Sequence, residues 1–190
     1  KRHWWRNLSV RGFLGGKISL IPHQLYVAHA SSDRQRPRVL LADEVGLGKT
    51  IEACLILHRL LVCERIQRVL ILVPPALVHQ WFVELLRRFN LWFNIFDEQR
   101  CEAIEAVQQN GNPFYENQLI LCSLGWMAAL PNRARQATEA GWDMLIVDEA
   151  HHLEWTPGNI SKEYSLVETL GKNTEGILLL TATPEQLGQS

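Results

Sequence analysis

A chain of 190 residues is long enough for one domain with a sizeable core, and its 47% apolar and 21% charged residues argue against a disordered, collagen-like or coiled-coil protein. Cys54, Cys63, Cys101 and Cys122 are widely spaced and form no CxxC pair, which speaks against a disulfide framework or a cysteine metal site and fits a reduced compartment. The net charge of −1 is unevenly spread: residues 1–38 hold eight Lys or Arg against the single acid Asp33, whereas from Arg133 onward nine acids face four bases.

The basic, Trp-rich opening from Lys1 to Ser19 has no clean period. Residues 1–18 read as an arm or linker remnant, either touching nucleic acid phosphates or an acidic protein face, or simply solvated. Pro22 then starts a helix through His29, and the polar stretch Ser31 to Arg38 reads as a loop before a short strand, Val39 to Ala42. A Gly-rich turn follows, then an amphipathic helix from about Thr50 to Cys63 that buries Ile51, Leu55 and Leu60.

The unit then recurs in outline. Val69 to Val73 is a continuous apolar run ended by Pro74-Pro75, and a helix is expected over Leu77 to Phe89. Trp92 to Phe96 reads as a further strand, Glu98 to Gln108 as a surface helix with its acids toward solvent, and Asn110 to Pro113 as a turn. Leu119 to Ser123, Met144 to Asp148 and Gly176 to Thr181 are further apolar runs, and Asn132 to Ala140 is read as helical. Periodicity alone leaves buried helix fragments open for several of these runs. Short length, β-branched content and Pro, Gly or Asp boundaries favour strands. Apolar on both faces and separated by helices, such strands suit a mostly parallel sheet covered on each side, an α/β fold over residues 19–190. No run approaches membrane-spanning length and no secretion signal opens the chain, which by itself decides little; the cysteine usage is what fits a reduced cytoplasmic setting.

Three segments carry the chemistry. Asp43-Glu44-Val45-Gly46-Leu47-Gly48-Lys49-Thr50 lies between a strand and a helix, where a phosphate-binding loop must sit, although Asp43 stands where the first glycine of that pattern belongs. Gly46 and Gly48 let backbone N–H groups turn inward around phosphates, and the following helix offers its positive end. Lys49 would then reach the β- and γ-phosphates of ATP, and the Thr50 hydroxyl would meet Mg²⁺. A Gly-rich turn with Lys and Thr can also bind nothing.

Asp148 and Glu149 stand at the carboxyl end of an apolar strand, where a parallel sheet places its ligand crevice. Asp148 suits Mg²⁺, and Glu149 suits orienting the attacking water. The bland reading is a pair of solvated acids and a helix cap, which leaves their pairing with Lys49 a coincidence. His151 and His152 lack further ligands at zinc spacing; His151 is expected to link the nucleotide pocket to other parts of the protein, and His152 to be a helix-face residue. Thr181-Ala182-Thr183-Pro184 either reports the γ-phosphate state through the Thr181 and Thr183 hydroxyls or is an ordinary strand-to-turn transition.

Taken in this order, the phosphate loop, Asp148-Glu149-Ala150-His151 and Thr181-Ala182-Thr183 resemble superfamily 2 helicase-like ATPases, and the form of the loop is similar to the Swi2/Snf2 branch, in which an acid at the first glycine position is usual. Within that branch, Ser19 to Leu25, His79-Gln80-Trp81, Leu86 to Asn90 and Thr181 to Gly188 resemble bacterial RNA polymerase-associated ATPases. The resemblance covers about Trp5 to Ser190 and implies a first RecA-like P-loop lobe that binds ATP and Mg²⁺, with Gln24 recognising adenine and Pro74 and Ser123 lying on the nucleic-acid path. It implies bacterial RNA polymerase and double-stranded DNA as partners, and a second RecA-like lobe of the full-length protein to complete the ATP site. On that expectation the chain stops short of the second lobe, and by itself hydrolyses ATP weakly, since an arginine supplied from outside is worth ~10³–10⁵ in rate in related phosphoryl transfer. Two positions depart from the polymerase-associated pattern: Cys54 replaces a small residue, and Gly125 replaces an acid after Ser123-Leu124. Two other readings remain, a nucleotide-gated docking module without significant hydrolysis and a P-loop NTPase unrelated to nucleic acid.

Overall fold

A computed structural model describes residues 22–42, 48–108, 111–153, 155–156 and 159–182. The six longer apolar runs all form strands: β1 (Arg38–Ala42), β2 (Val69–Val73), β3 (Asn94–Phe96), β4 (Leu119–Ser123), β5 (Met144–Val147) and, last in the chain, β8 (Gly176–Thr181). They build one sheet in the order β1-β8-β5-β2-β4-β3, and every pairing in it is parallel. β2 lies near the middle and all five of its residues are fully buried, as a strand covered on both faces must be.

Alternation along the strands divides the core in two. Val69, Ile71 and Val73 of β2, with Ile146 of β5 and Leu178 and Leu180 of β8, pack against α1 (Pro22–Ser32), α2 (Lys49–Val62) and α3 (Val78–Phe89). Leu70 and Leu72, with Leu145, Val147 and Ile177, face α4 (Glu98–Val107), α5 (Leu124–Ala129), α6 (Pro131–Ala140) and α7 (Lys162–Lys172). The period of two in each strand thus sends consecutive side chains to opposite helical layers.

Some expectations need correction. The helix after the phosphate loop is not amphipathic in the expected sense: Glu52 through His58 and Leu60 are all buried, because α2 is wedged between α1, α3 and the sheet, and Ile51 is only half-buried. The polar segment from Ser31 is not all loop, since α1 runs on to Ser32, whose Oγ donates to Ala28 O at 2.5 Å. The acids of α4 do not all face solvent; Glu98 and Glu105 accept from the buried Arg133 guanidinium of α6 at 2.6 and 2.5 Å. Three elements lie in stretches where no element was anticipated: α5, α7 and a two-stranded antiparallel ribbon, β6 (Trp155–Thr156) with β7 (Asn159–Ile160). Both helices are capped by serines, with Ser123 Oγ accepting from Trp126 N at 3.3 Å and Ser161 Oγ from Tyr164 N at 3.0 Å. The arm at residues 1–18 lies outside the described residues.

Candidate active site

The parallel sheet brings the chosen segments to one edge. Ala42, Thr181, Val147, Val73 and Ser123 end neighbouring strands on the same side, so the last residues of β1, β8, β5, β2 and β4 line up along the carboxyl edge. Lys49 and Thr50 open α2 at that edge, and Asp148 and Glu149 follow β5. Between them lies a cleft of about 320 Å³, whose lining includes Gly48, Lys49, Thr50, Asp148, Glu149 and Ala182. Gly48 has φ +89°, a conformation that favours glycine, and a Cβ there would meet the Gln24 amide end, which would have to shift. That approach also sets the buried Gln24 of α1 directly against the end of the phosphate loop. Gly46 and Thr183 lie outside the described residues, as does Asp43.

Asp148 is the most constrained group at the site. It is buried, its backbone N–H donates to Leu72 O at 3.0 Å, and both of its carboxylate oxygens accept hydrogen bonds. Oδ1 takes the backbone N–H of Glu149 at 2.8 Å, and Oδ2 takes the indole N–H of Trp81 at 2.7 Å. Burial pushes its carboxyl above the usual carboxylate range; the Trp81 and Glu149 bonds and the Lys49 charge only partly offset this, and the Glu149 charge adds to it. Glu149 itself has φ +51°, a left-handed conformation that costs a non-glycine residue of order 1 kcal/mol or more. Strain of this kind persists where the surroundings over-determine it, and here it starts a tight turn, Ala150–His152, that packs on β8.

His151 is half-buried in that turn. Its Nδ1 stands 3.2 Å from Glu149 Oε2, out of line for a hydrogen bond, and its ring lies 4.1 Å from that of His152. The described residues contain no group of three His, Cys, Asp or Glu placed to share a metal ion. Thr181 is fully buried at the end of β8, in register with Ala42, so it sits between the carboxyl ends of β1 and β5. Pro74 and Ser123 follow and end the paired strands β2 and β4, placing both beside each other at the same edge. Gly125 lies in the first turn of α5 with open space where a Cβ would go, so packing does not require a glycine there.

Most of the rest of the cleft's lining is not anticipated from the sequence. It comes from the segment after β2 and from α3: Leu77, Gln80, Trp81, Glu84 and Arg88, with Arg88 Nε paired to Glu84 Oε2. A signal for it existed. Val78, Trp81, Leu85 and Phe89 recur at helical spacing as the buried stripe of α3, and a buried indole needs a partner for its N–H. What the spacing did not reveal is that the partner would be a carboxylate 67 residues away.

The fold and the cleft define a P-loop type lobe: a parallel sheet between two helical layers, a Gly-Lys-Thr helix start, and an acidic pair one strand removed. The SNF2-related domain family matches residues 23–189, and the chain belongs to that family. It is 57% identical over 180 residues to the RNA polymerase-associated protein RapA of Vibrio cholerae serotype O1, covering 95% of this chain and 18% of that protein. Against the RapA of Actinobacillus pleuropneumoniae serotype 3 the identity is 55% over 185 residues, with 95% and 19% covered. The chain therefore spans about a fifth of the length of these relatives. Among solved structures it is similar to the Sulfolobus solfataricus SWI2/SNF2 ATPase core in complex with dsDNA, with a TM-score of 0.72 and 22% identity over 89% of this chain and 33% of that one, a likeness that shows the RecA-like fold.

Proposed function

We propose that this chain is the ATP-binding lobe of a DNA-dependent, RNA polymerase-associated ATPase that remodels or translocates on nucleic acid to promote polymerase recycling. The observation that carries the reading is the meeting of Lys49, Thr50, Asp148 and Glu149 on one cleft, from segments about 100 residues apart in the chain. A docking surface needs no such meeting. Association with RNA polymerase rests on the identity to proteins that carry that description, and action on duplex DNA on the likeness to a core solved with dsDNA.

In this reading Lys49 offers its charge to the β- and γ-phosphates, the backbone around Gly48 cradles them, and Gln24, held against that loop, contacts the base. The donor set fits Mg²⁺, since one hydroxyl and one buried carboxylate leave the remaining positions to phosphate and water, as that ion prefers. Thr50 and Asp148 would hold it, and when bound it neutralises charge on the phosphate oxygens. Glu149, half-exposed at the mouth of the cleft, orients the attacking water and accepts its proton. His151, Thr181 and Thr183 carry the state of the site toward the rest of the motor, and Pro74 and Ser123 lie along the path for nucleic acid. A second RecA-like lobe of the full-length protein completes the site, and the isolated chain is slow without it.

The test is ATP turnover by the full-length protein, with and without duplex DNA, for wild type, Lys49→Ala and Glu149→Gln. Lys49→Ala is expected to lose nucleotide affinity, and Glu149→Gln to keep ATP while losing turnover by ~10²-fold or more. DNA-stimulated turnover that survives in both variants would overturn the reading.

A further inference from the structure

We propose that Trp81 is a positioning residue for the Mg²⁺ site, its indole N–H fixing the Asp148 carboxylate in the orientation that receives the ion. The inference rests on the nucleotide-site reading above and adds a residue of α3 that lines the same cleft. Its basis is geometric. Trp81 is 1% exposed, and its Nε1 lies 2.7 Å from Asp148 Oδ2. The ring is buried in the same core cluster as Val78, Leu85 and Phe89 of the α3 stripe, and close packing of this kind limits the motion of the donor. With Oδ1 committed to the Glu149 N–H, the carboxylate is gripped at both oxygens and cannot rotate freely about its χ2 axis. Each oxygen retains a second lone pair for a cation or its water.

Satisfying a buried indole does not by itself require this arrangement. Trp142, also buried, donates its Nε1–H to a backbone carbonyl, Ala137 O, at 2.7 Å. In the same chain, then, one buried Trp is satisfied by neutral backbone and the other by the carboxylate that lines the cleft. Removing a partner that orients a metal ligand typically costs about 10–100-fold in metal affinity or activity. α3 starts one short turn after Pro74, so the helix that lines the cleft follows directly on the segment leading from the end of β2.

The decisive experiment removes the N–H and keeps the shape. Full-length protein with benzothienylalanine at position 81, in which sulfur stands in place of the indole N–H, is compared with wild type, Trp81→Phe and Asp148→Asn. Two quantities are read: the Mg²⁺ concentration for half-maximal ATP turnover, and the Kd for a fluorescent ADP analogue in EDTA and in Mg²⁺. The isostere is expected to need roughly tenfold more Mg²⁺, and to lose affinity for the analogue in Mg²⁺ while matching wild type in EDTA. In the Asp148→Asn background, adding the isostere should change the Mg²⁺ requirement no further. An isostere indistinguishable from wild type, or one weakened equally with and without Mg²⁺, overturns the role of Trp81 while leaving the nucleotide site intact. Asp148→Asn with a wild-type Mg²⁺ requirement overturns the assignment of Asp148, and this proposal with it.

Discussion

The two edges of the sheet treat charge in opposite ways. At the amino edge, Asp143 accepts the backbone N–H groups of Gln67 and Arg68, both at 2.8 Å, which pins the start of β2 beside the start of β5. Arg38 donates to Thr174 O and Gly171 O at 3.0 and 3.1 Å, and Arg68 donates to Gly141 O and Phe114 O at 3.0 and 2.8 Å. These charged groups close onto neutral backbone and leave little to offer a ligand. At the carboxyl edge, Lys49, Asp148, Glu149 and the Glu84–Arg88 pair line an open cleft, and Asp148 is held at a cost that burial makes plain. Charge spent on backbone holds strands in register. Charge left facing a cleft is available for binding, and the fold stores a little instability there.

The comparison breaks most easily at Glu149. Glu149→Gln is expected to cut turnover by ~10²-fold or more if the residue acts as the proposed base, yet to move stability by no more than about 0.5 kcal/mol, since the change keeps the side chain's size and removes only a charge that is partly exposed beside His151. Thermal unfolding monitored beside turnover checks this. A large drop in Tm with unchanged activity per folded molecule would make Glu149 a structural residue and erase the distinction between the edges.

Asp143→Ala should behave in the reverse sense. It leaves two backbone N–H groups without their charged acceptor and is expected to cost about 2 kcal/mol in denaturant unfolding. Turnover per folded molecule should stay at the wild-type level, because the substituted edge lies a full strand length from the cleft. Loss of turnover without loss of stability would show that the amino edge shares in function.

How far these edges were legible in the sequence follows from the range of each interaction. The six strands were readable because β-branched apolar runs bounded by Pro, Gly and Asp need no partner to be recognised, and the order of the motifs placed Lys49 between a strand and a helix and Asp148 at the end of a strand. α2 misled because a helix buried nearly all round has no clean polar face to reveal its contacts. α5 has six residues, too few for a period to show, and α7 carries Gly171 within it, where a helix former is expected. The Trp81–Asp148 bond and the Arg133 cluster with Glu98 and Glu105 join residues 67, 35 and 28 positions apart, and local pattern carries no information about such pairs.

The smallest effect, and the sharpest test of the contrast, is in the pH dependence of stability. Asp148 is raised above its ordinary value of 3.8, so the folded nucleotide-free protein holds that proton more tightly than the unfolded chain does. Its contribution is therefore fully present below about pH 3.9 and is lost as pH rises through the raised folded value. Glu105 is shifted the other way: hydrogen bonds from Arg133 and Gln136 hold its carboxyl below the ordinary 4.5, so its contribution is present above that value and is lost as pH falls through the lowered one. The Tm difference between wild type and Asp148→Asn should accordingly shift against wild type as pH rises from mildly acid toward neutral. For Glu105→Gln the difference should shift in favour of wild type as pH rises through the acid range. Parallel profiles would mean that Asp148 is as well compensated as Glu105, and that the cleft stores no electrostatic cost for a cation to relieve.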